Sequence, residues 1–223
     1  MIDTTAAKKE IFNSIRQNLA VSQPFDAVYS EHHASDRAVA TRREVPVDDL
    51  LSLFKNNLEA VAGKCKVVSG ESEASAAIQE IISYLKPQTL AVSDSNTVSS
   101  VVDQINTNVT VLKNASKSDL FDCDIGITCA QWAIAETGTL VLESETESNR
   151  LISLIPPVHI CMLKAEKIRQ TMGEVLECVR QSLNPTVTFI TGPSRTSDIE
   201  LTLAIGVHGP KELHVIIIDK HEP

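Results

Sequence analysis

Aromatic side chains are scarce in this sequence, at 4% of residues, so its core must be assembled from Val, Ile, Leu and Ala rather than from large rings. Such a core favours buried parallel strands. A surplus of basic residues is missing too: the formal charge is −9 and the pI near 5.1, which argues against non-specific binding to nucleic acid or anionic lipid. The five cysteines include no CxxC pair and have no close companion histidines, so no zinc or iron–sulfur ligand spacing is present and they read as reduced core thiols. No apolar run approaches the roughly 20 residues needed to span a bilayer, and the amino terminus lacks a signal pattern. A cytoplasmic location is therefore expected. Repeats of 20 to 50 residues and low-complexity tracts are also lacking.

What is present is an alternation of helical and strand-like patterns. Ile11, Phe12, Ile15 and Leu19 fall at helical spacing and predict one amphipathic helix over 6–19, ended by Pro24. Residues 21–44 lose periodicity and read as an extended connection. The division that follows is an amino-terminal helix and variable arm over 1–45 and an α/β domain over 46–223. In the second part a helix from Leu50 stops at Gly63 and a strand over 66–68 follows. Then come helix 72–85, strand 89–93, helix 96–106, strand 108–113 and strand 124–128. Strands at 139–142 and 158–163, a long helix at 165–183, and strands at 187–191 and 213–219 complete the pattern. This is the signature of βαβ units, a mostly parallel sheet flanked by helices.

Four segments carry candidate chemistry. Gly192, Ser194, Arg195, Thr196, Asp198 and Glu200 sit in a turn after the apolar run 187–190 and before the helical-looking 201–205. A strand-to-helix turn of that kind lies at the ligand-binding edge of an open sheet, where free N–H groups attract anions and Arg195 can clamp a carboxylate. A capped helix with Arg195 paired to Asp198 or Glu200 explains the same residues. Ser93, Asp94, Ser95 and Asn96 form a second such turn, suited to phosphate or carboxylate oxygens, although plain N-capping accounts for it equally. Asp124 and Glu136, with Thr137 and Gly138, flank a strand pair; a carboxylate in an apolar turn can act as base or nucleophile, and Glu136 is expected to be partly buried. Structural hydrogen bonding is the alternative. His208, in the glycine-flanked turn 206–210, could donate to an anion. Trp132 reads as a core or pocket-wall residue.

Taken together, Asp124-Ile125-Gly126-Ile127-Thr128, Ile134-Ala135-Glu136-Thr137-Gly138-Thr139, the stretch Gly192 to Glu200 and Gly206-Val207-His208-Gly209-Pro210 resemble the LUD domain family of lactate-utilization proteins, of the lactate utilization protein C type. The likeness covers about 89–219, and the first 45 residues carry no matching motif. It implies a fold like that of the ribose-phosphate isomerase, glucosamine-phosphate deaminase and CoA-transferase group. It also implies a role in oxidising L-lactate to pyruvate beside iron–sulfur partner proteins, with no cofactor in this chain. In the wider fold group an acidic residue near Glu136 or Asp124 does the chemistry, and a turn like Ser93 to Thr97 binds ligand oxygens. Close wrapping of a phosphate is not expected, because the turn lacks multiple glycines. Two other functions fit the residues: an independent CoA-transferase-like or sugar-phosphate isomerase-like enzyme using Glu136, and a small-carboxylate binding protein without chemistry. All of these readings require the Ser93 and Gly192 turns, Glu136 and His208 to meet around one hollow.

Overall fold

The computed structural model describes residues 4–21, 46–144, 149–180, 186–197, 203–205 and 209–219. It divides into two compact units, Met1–Glu44 and Val45–Pro223. In the first, helix α1 (Thr4–Val21) presents Ile11, Phe12 and Ile15 to solvent. Of the connection expected over 21–44, all but Val21 lies outside the described residues.

The second unit is organised by a six-stranded sheet of order β1-β12-β7-β4-β2-β3, every pair of which is parallel. Its strands are β1 (Lys64–Val68), β2 (Thr89–Val92), β3 (Thr110–Lys113), β4 (Ile125–Ala130), β7 (Val158–Lys164) and β12 (Glu212–Ile218). The central strands are buried on both faces and accordingly read as continuous apolar runs: β4 is buried along its whole length. Alternation splits those runs between two cores. Ile160, Met162, Ile216 and Ile218 face helices α3 (Glu71–Leu85) and α4 (Asn96–Val102), whereas Cys161, Leu163, Val215 and Ile217 face helix α2 (Val47–Ala60) and the hairpin of β5 (Trp132–Ile134) and β6 (Thr139–Glu143).

Local chemistry explains most boundaries. Leu50, Phe54 and Leu58 bury one stripe of α2, and the helix ends where Ala62 turns to φ +67° and Gly63 N–H reaches back to the Leu58 carbonyl at 2.9 Å. At the start of α3 the Glu73 carboxylate accepts the Ser69 N–H at 2.9 Å, and Lys86, at φ +50°, closes the other end ahead of Pro87. Helix α4 stops at Val102, four residues short of the expected 106. Between β3 and β4 a one-turn helix α5 (Lys117–Phe121), unforeseen from the periodicity, is held by a capping box of Ser116 and Asp119.

Two predicted helices are replaced by other structure. The long helix expected over 165–183 is a 3-10 turn (Ala165–Lys167), strand β8 (Ile168–Arg169) and helix α6 (Met172–Arg180). Pairing of Ile168 and Arg169 with Ala133 and Ile134 captures the first residues for a second, four-stranded sheet, β8-β5-β6-β9, whose last strand is Val187–Ile190. The helix begins only at a cap, where Thr171 Oγ1 accepts the Glu174 N–H at 3.2 Å and Glu174 accepts the Gln170 N–H at 3.1 Å. The segment expected to be helical over 201–205 contributes β11 (Leu203–Ile205), antiparallel to β10 (Arg195–Ser197). Arg195 therefore starts a hairpin strand, and the anion-binding argument from a helix start does not apply to it.

Gly126 is the tightest point of the main sheet, for a Cβ there would lie 2.0 Å from the Ile152 carbonyl oxygen. Gly126→Ala should destabilise the protein by about 3 kcal/mol, a fall of roughly 6–12 °C in Tm. Gly173→Ala, whose added Cβ meets nothing nearer than Thr171 Oγ1 at 3.7 Å in the first turn of α6, should leave Tm unchanged or slightly higher. Thermal unfolding of the two variants checks the pair.

Candidate functional site

Strand β2 leads outward to β3, while the chain leaving β4 turns the other way towards β7, so the sheet's winding reverses between neighbours β2 and β4. A crevice at the carboxyl ends of strands at such a reversal is the usual ligand site of an open α/β sheet. The structure has a groove there of about 610 Å³, lined by Asp94, Ser95, Asn96 and Thr97 after β2, Cys129 to Trp132 from the end of β4 to the start of β5, Glu143 of β6, Lys164 at the end of β7 and Lys167 beyond it. Its volume falls within the roughly 300–1,000 Å³ typical of small-molecule pockets.

The wall at β4 is fixed by hydrogen bonds. Trp132 Nε1 donates to Glu143 Oε1 at 2.7 Å, and Gln131 both donates to the Cys129 carbonyl and accepts the Glu143 N–H, each at 2.7 Å. Lys167 Nζ and Arg169 Cζ lie 4.7 and 4.9 Å from the centre of the Trp132 ring. Lys164 and Lys167 pair with no carboxylate among the described residues. The groove thus brings two cations together with amide and hydroxyl groups, and the carboxylates of Asp94 and Glu143 line it as well. Next to the rim, Ser93 Oγ is buried with no hydrogen-bond partner among the described residues.

The residues singled out from the sequence divide between several places. Asp94, Ser95 and Asn96 line the groove and Ser93 adjoins it. Asp124 stands before β4, at the opposite rim of the sheet, where its Oδ2 accepts the N–H groups of Gln88 and Thr89 at 2.7 and 3.0 Å and the Thr89 hydroxyl at 3.2 Å. It ties the starts of β2 and β4 together. Glu136 is exposed on the β5–β6 turn, contrary to the expected burial, and lines neither cavity described here. Gly138, at φ +62°, lets that turn pack against α2, for a Cβ there would lie 2.3 Å from Leu58 N. The turn does meet the Gly192 turn: Thr137 Oγ1, Thr139 Oγ1 and Thr191 Oγ1 form a chain with links of 2.6 and 2.7 Å. Gly192 and Ser194 line a second, smaller cavity, Arg195 is exposed, and Thr196 pairs in β10. Asp198, Glu200 and His208 lie outside the described residues. The single shared hollow is not found, since the two cavities have no lining residue in common.

None of the five cysteines forms a disulfide, and no group of three His, Cys, Asp or Glu side chains that could hold a metal ion assembles among the described residues. No described helix is long and apolar enough to cross a membrane.

The sequence profile of the LUD domain matches residues 51–218, three quarters of the chain. The protein belongs to the LUD domain family. Its relatives include an uncharacterized protein of Neisseria meningitidis, 42% identical over 106 residues that make up 46% of each chain. Lactate utilization protein C of Deinococcus radiodurans is 41% identical over 106 residues, 46% of this chain and 50% of that one. Lactate utilization protein C of Bacillus subtilis is 34% identical over 115 residues, 48% and 47% of the two chains. The chain thus spans about half the length of the curated relatives it matches. Among solved structures, that of a DUF162 family protein from Deinococcus radiodurans superposes with a TM-score of 0.63 at 25% identity, over 78% of this chain and 99% of that one.

One polar residue of this LUD domain escaped the sequence reading. His159, second residue of β7, is 1% exposed and its Nε2 lies 2.8 Å from Thr128 Oγ1 on the neighbouring strand, whose hydroxyl also lies 3.6 Å from Cys161 Sγ. Burial pushes the imidazole pKa from 6.5 down to about 3, so the folded protein keeps it neutral. The unfolded chain takes up this proton below 6.5, and the contribution to stability, whole above that pH, is lost as pH falls towards 3. Between pH 7 and 4.5 it should account for a loss of about 2–3 kcal/mol. Urea unfolding at both pH values should show a smaller drop for His159→Gln than for the parent.

Proposed function

We propose that this LUD domain serves L-lactate utilization, as a component of a system that oxidises L-lactate to pyruvate together with iron–sulfur partner proteins. The reading is supported by the relatives named lactate utilization protein C and by the groove's pairing of opposite recognition chemistries. The single observation that carries it is that Lys164 and Lys167, free of carboxylate partners among the described residues, line one groove with Ser95, Asn96 and Thr97. A 2-hydroxy acid needs both kinds of group. Its carboxylate would be held by charge-assisted hydrogen bonds from the lysines, and its hydroxyl by the polar turn after β2.

Oxidation breaks the O–H and C–H bonds at the carbinol carbon and releases two electrons and two protons as the C=O bond forms. In this proposal the electrons pass to clusters carried by the partner proteins, and the domain holds the hydroxy acid while they leave. Lactate displaces on the order of 100 Å³, a few waters' share of liquid volume, against about 610 Å³ in the groove. The remaining space is room for the acceptor's approach.

A strain lacking the chain should fail to grow on L-lactate and grow normally on pyruvate; equal growth on both would remove the proposal. Restoring the gene with Lys164→Ala and Lys167→Ala together should leave lactate-dependent acceptor reduction about 10- to 100-fold lower, the loss expected of one charge-assisted hydrogen bond or more. Co-purification from lactate-grown cells should bring down proteins with the brown absorbance of iron–sulfur clusters.

A further inference from the structure

The second cavity, on the far half of β7 from the groove, has no part in the lactate reading. It encloses about 220 Å³ beneath the Gly192 turn. Lys164 marks the groove end of β7 and His159 the other, five residues or about 17 Å apart along the strand. The roof is fastened by one backbone hydrogen bond, Ser194 N–H to the Pro210 carbonyl at 2.8 Å. Gly192, at φ +79°, makes that roof possible, for a Cβ there would lie 2.6 Å from the Val61 carbonyl oxygen.

The chemistry of this chamber is distinct from that of the groove. Leu154, Phe189, Pro193 and Leu213 give it apolar walls, and no Lys or Arg among the described residues lines it. Two polar groups with hydrogen-bonding capacity unused by the described residues line this setting. His159 uses Nε2 on Thr128, and its other ring nitrogen has no partner among the described residues. Ser194 likewise has no hydroxyl partner among them. Neither atom is sealed in the interior without a partner, a state found among the described residues only at Ser93 Oγ, so both are reachable from the cavity and open to an occupant that can hydrogen-bond to them.

We propose that this chamber is a binding site for a small uncharged molecule with an apolar body and a carbonyl or hydroxyl oxygen, held by His159 and Ser194. Charge is excluded on two counts. A carboxylate would be desolvated with no cation beside it among the described residues, and the neutral imidazole offers one hydrogen bond rather than an ion pair. Size sets the other limit, since 220 Å³ is about seven waters' share of liquid volume at about 30 Å³ each, so the occupant has on the order of ten heavy atoms.

Cyclohexanone, with a ring and one carbonyl, is a suitable probe. Titrated into the full chain carrying ¹⁵N-labelled histidine, it should shift the His159 ring signals saturably, with a dissociation constant of about 1 mM or lower. Cyclohexanecarboxylate, similar in body but charged, should not. His159→Leu should abolish saturable binding, and Ser194→Ala, which spares the imidazole should the first variant fail to fold, should weaken it roughly five- to tenfold. A titration without a saturable His159 shift overturns the assignment, as does equal affinity for the carboxylate or unchanged affinity in Ser194→Ala. Growth on lactate plays no part in these readouts, so this site and the groove stand or fall separately.

Discussion

The parallel register of β4 on β7 is the constraint on which both cavities depend. Pairing runs from Ile125 with Val158 to Ala130 with Leu163, and it sets Thr128 opposite Cys161 with His159 two residues earlier on the same face. A slip of one residue would turn every one of these side chains to the other face, placing Ile160 and Met162 under α2 and moving His159 into the apolar core beneath α3 and α4. Gly126 guards that register. With the Ile152 carbonyl where a Cβ would be, no residue with a side chain can stand at that point without moving the loop above it. Because Lys164 directly follows the last paired residues, the same register delivers its ammonium group to the groove.

Electrostatics then separate the two cavities by what they can accept. The chain as a whole is acidic, so an anion approaches against a repulsive field and must be repaid locally. Lys164 and Lys167 can do so because they are not consumed by surface ion pairs, unlike Lys64 and Lys66, which hold Glu212 and Glu80. Trp132 keeps its neighbourhood ordered: Glu143 holds the indole N–H while two cations lie against the ring.

Much of the fold was legible because the strands of a doubly covered parallel sheet are short apolar runs separated by helical patterns. Val158–Lys164 and Glu212–Ile218 show this plainly, and both match their predicted places to within a residue or two. Ser93 to Asn96 could be found for the same reason, since a polar turn directly after an apolar run sits at the strand ends. The failures have a common cause. Ile168–Arg169 and Leu203–Ile205 look helical in local pattern, yet they pair with segments 35 and 6–10 residues away respectively, and such pairing overrides weak helical preference. His159 was invisible because its partner Thr128 is 31 residues distant. A lone histidine in an apolar strand gives no sign of which face it takes or what it meets there. A Thr-x-x-Glu cap at Thr171 and Glu174 is present in the sequence, however, and marks the start of α6 within the longer periodicity.

The fate of the two acidic candidates shows how position in a parallel sheet decides between structural and chemical roles. Asp124 and Ser93 belong to adjacent strands, and in sequence they look like parts of one site. Parallel strands, however, send their starts to one rim and their ends to the other. Asp124, before β4, spends its carboxylate on the backbone of Gln88 and Thr89 and so secures the entry of β2. Ser93, after β2, emerges where β4 and β7 also end, and there the lysines are waiting. Glu136 is carried away from that rim by the β5–β6 hairpin, which lays its turn against Asn57 and Leu58 of α2. The groove's lysines therefore come from β7 and the turn after it rather than from the motifs that made the family recognisable. Those motifs, rich in Gly138, Thr139 and Gly192, instead build the close contact between the hairpin, the Gly192 turn and the end of α2.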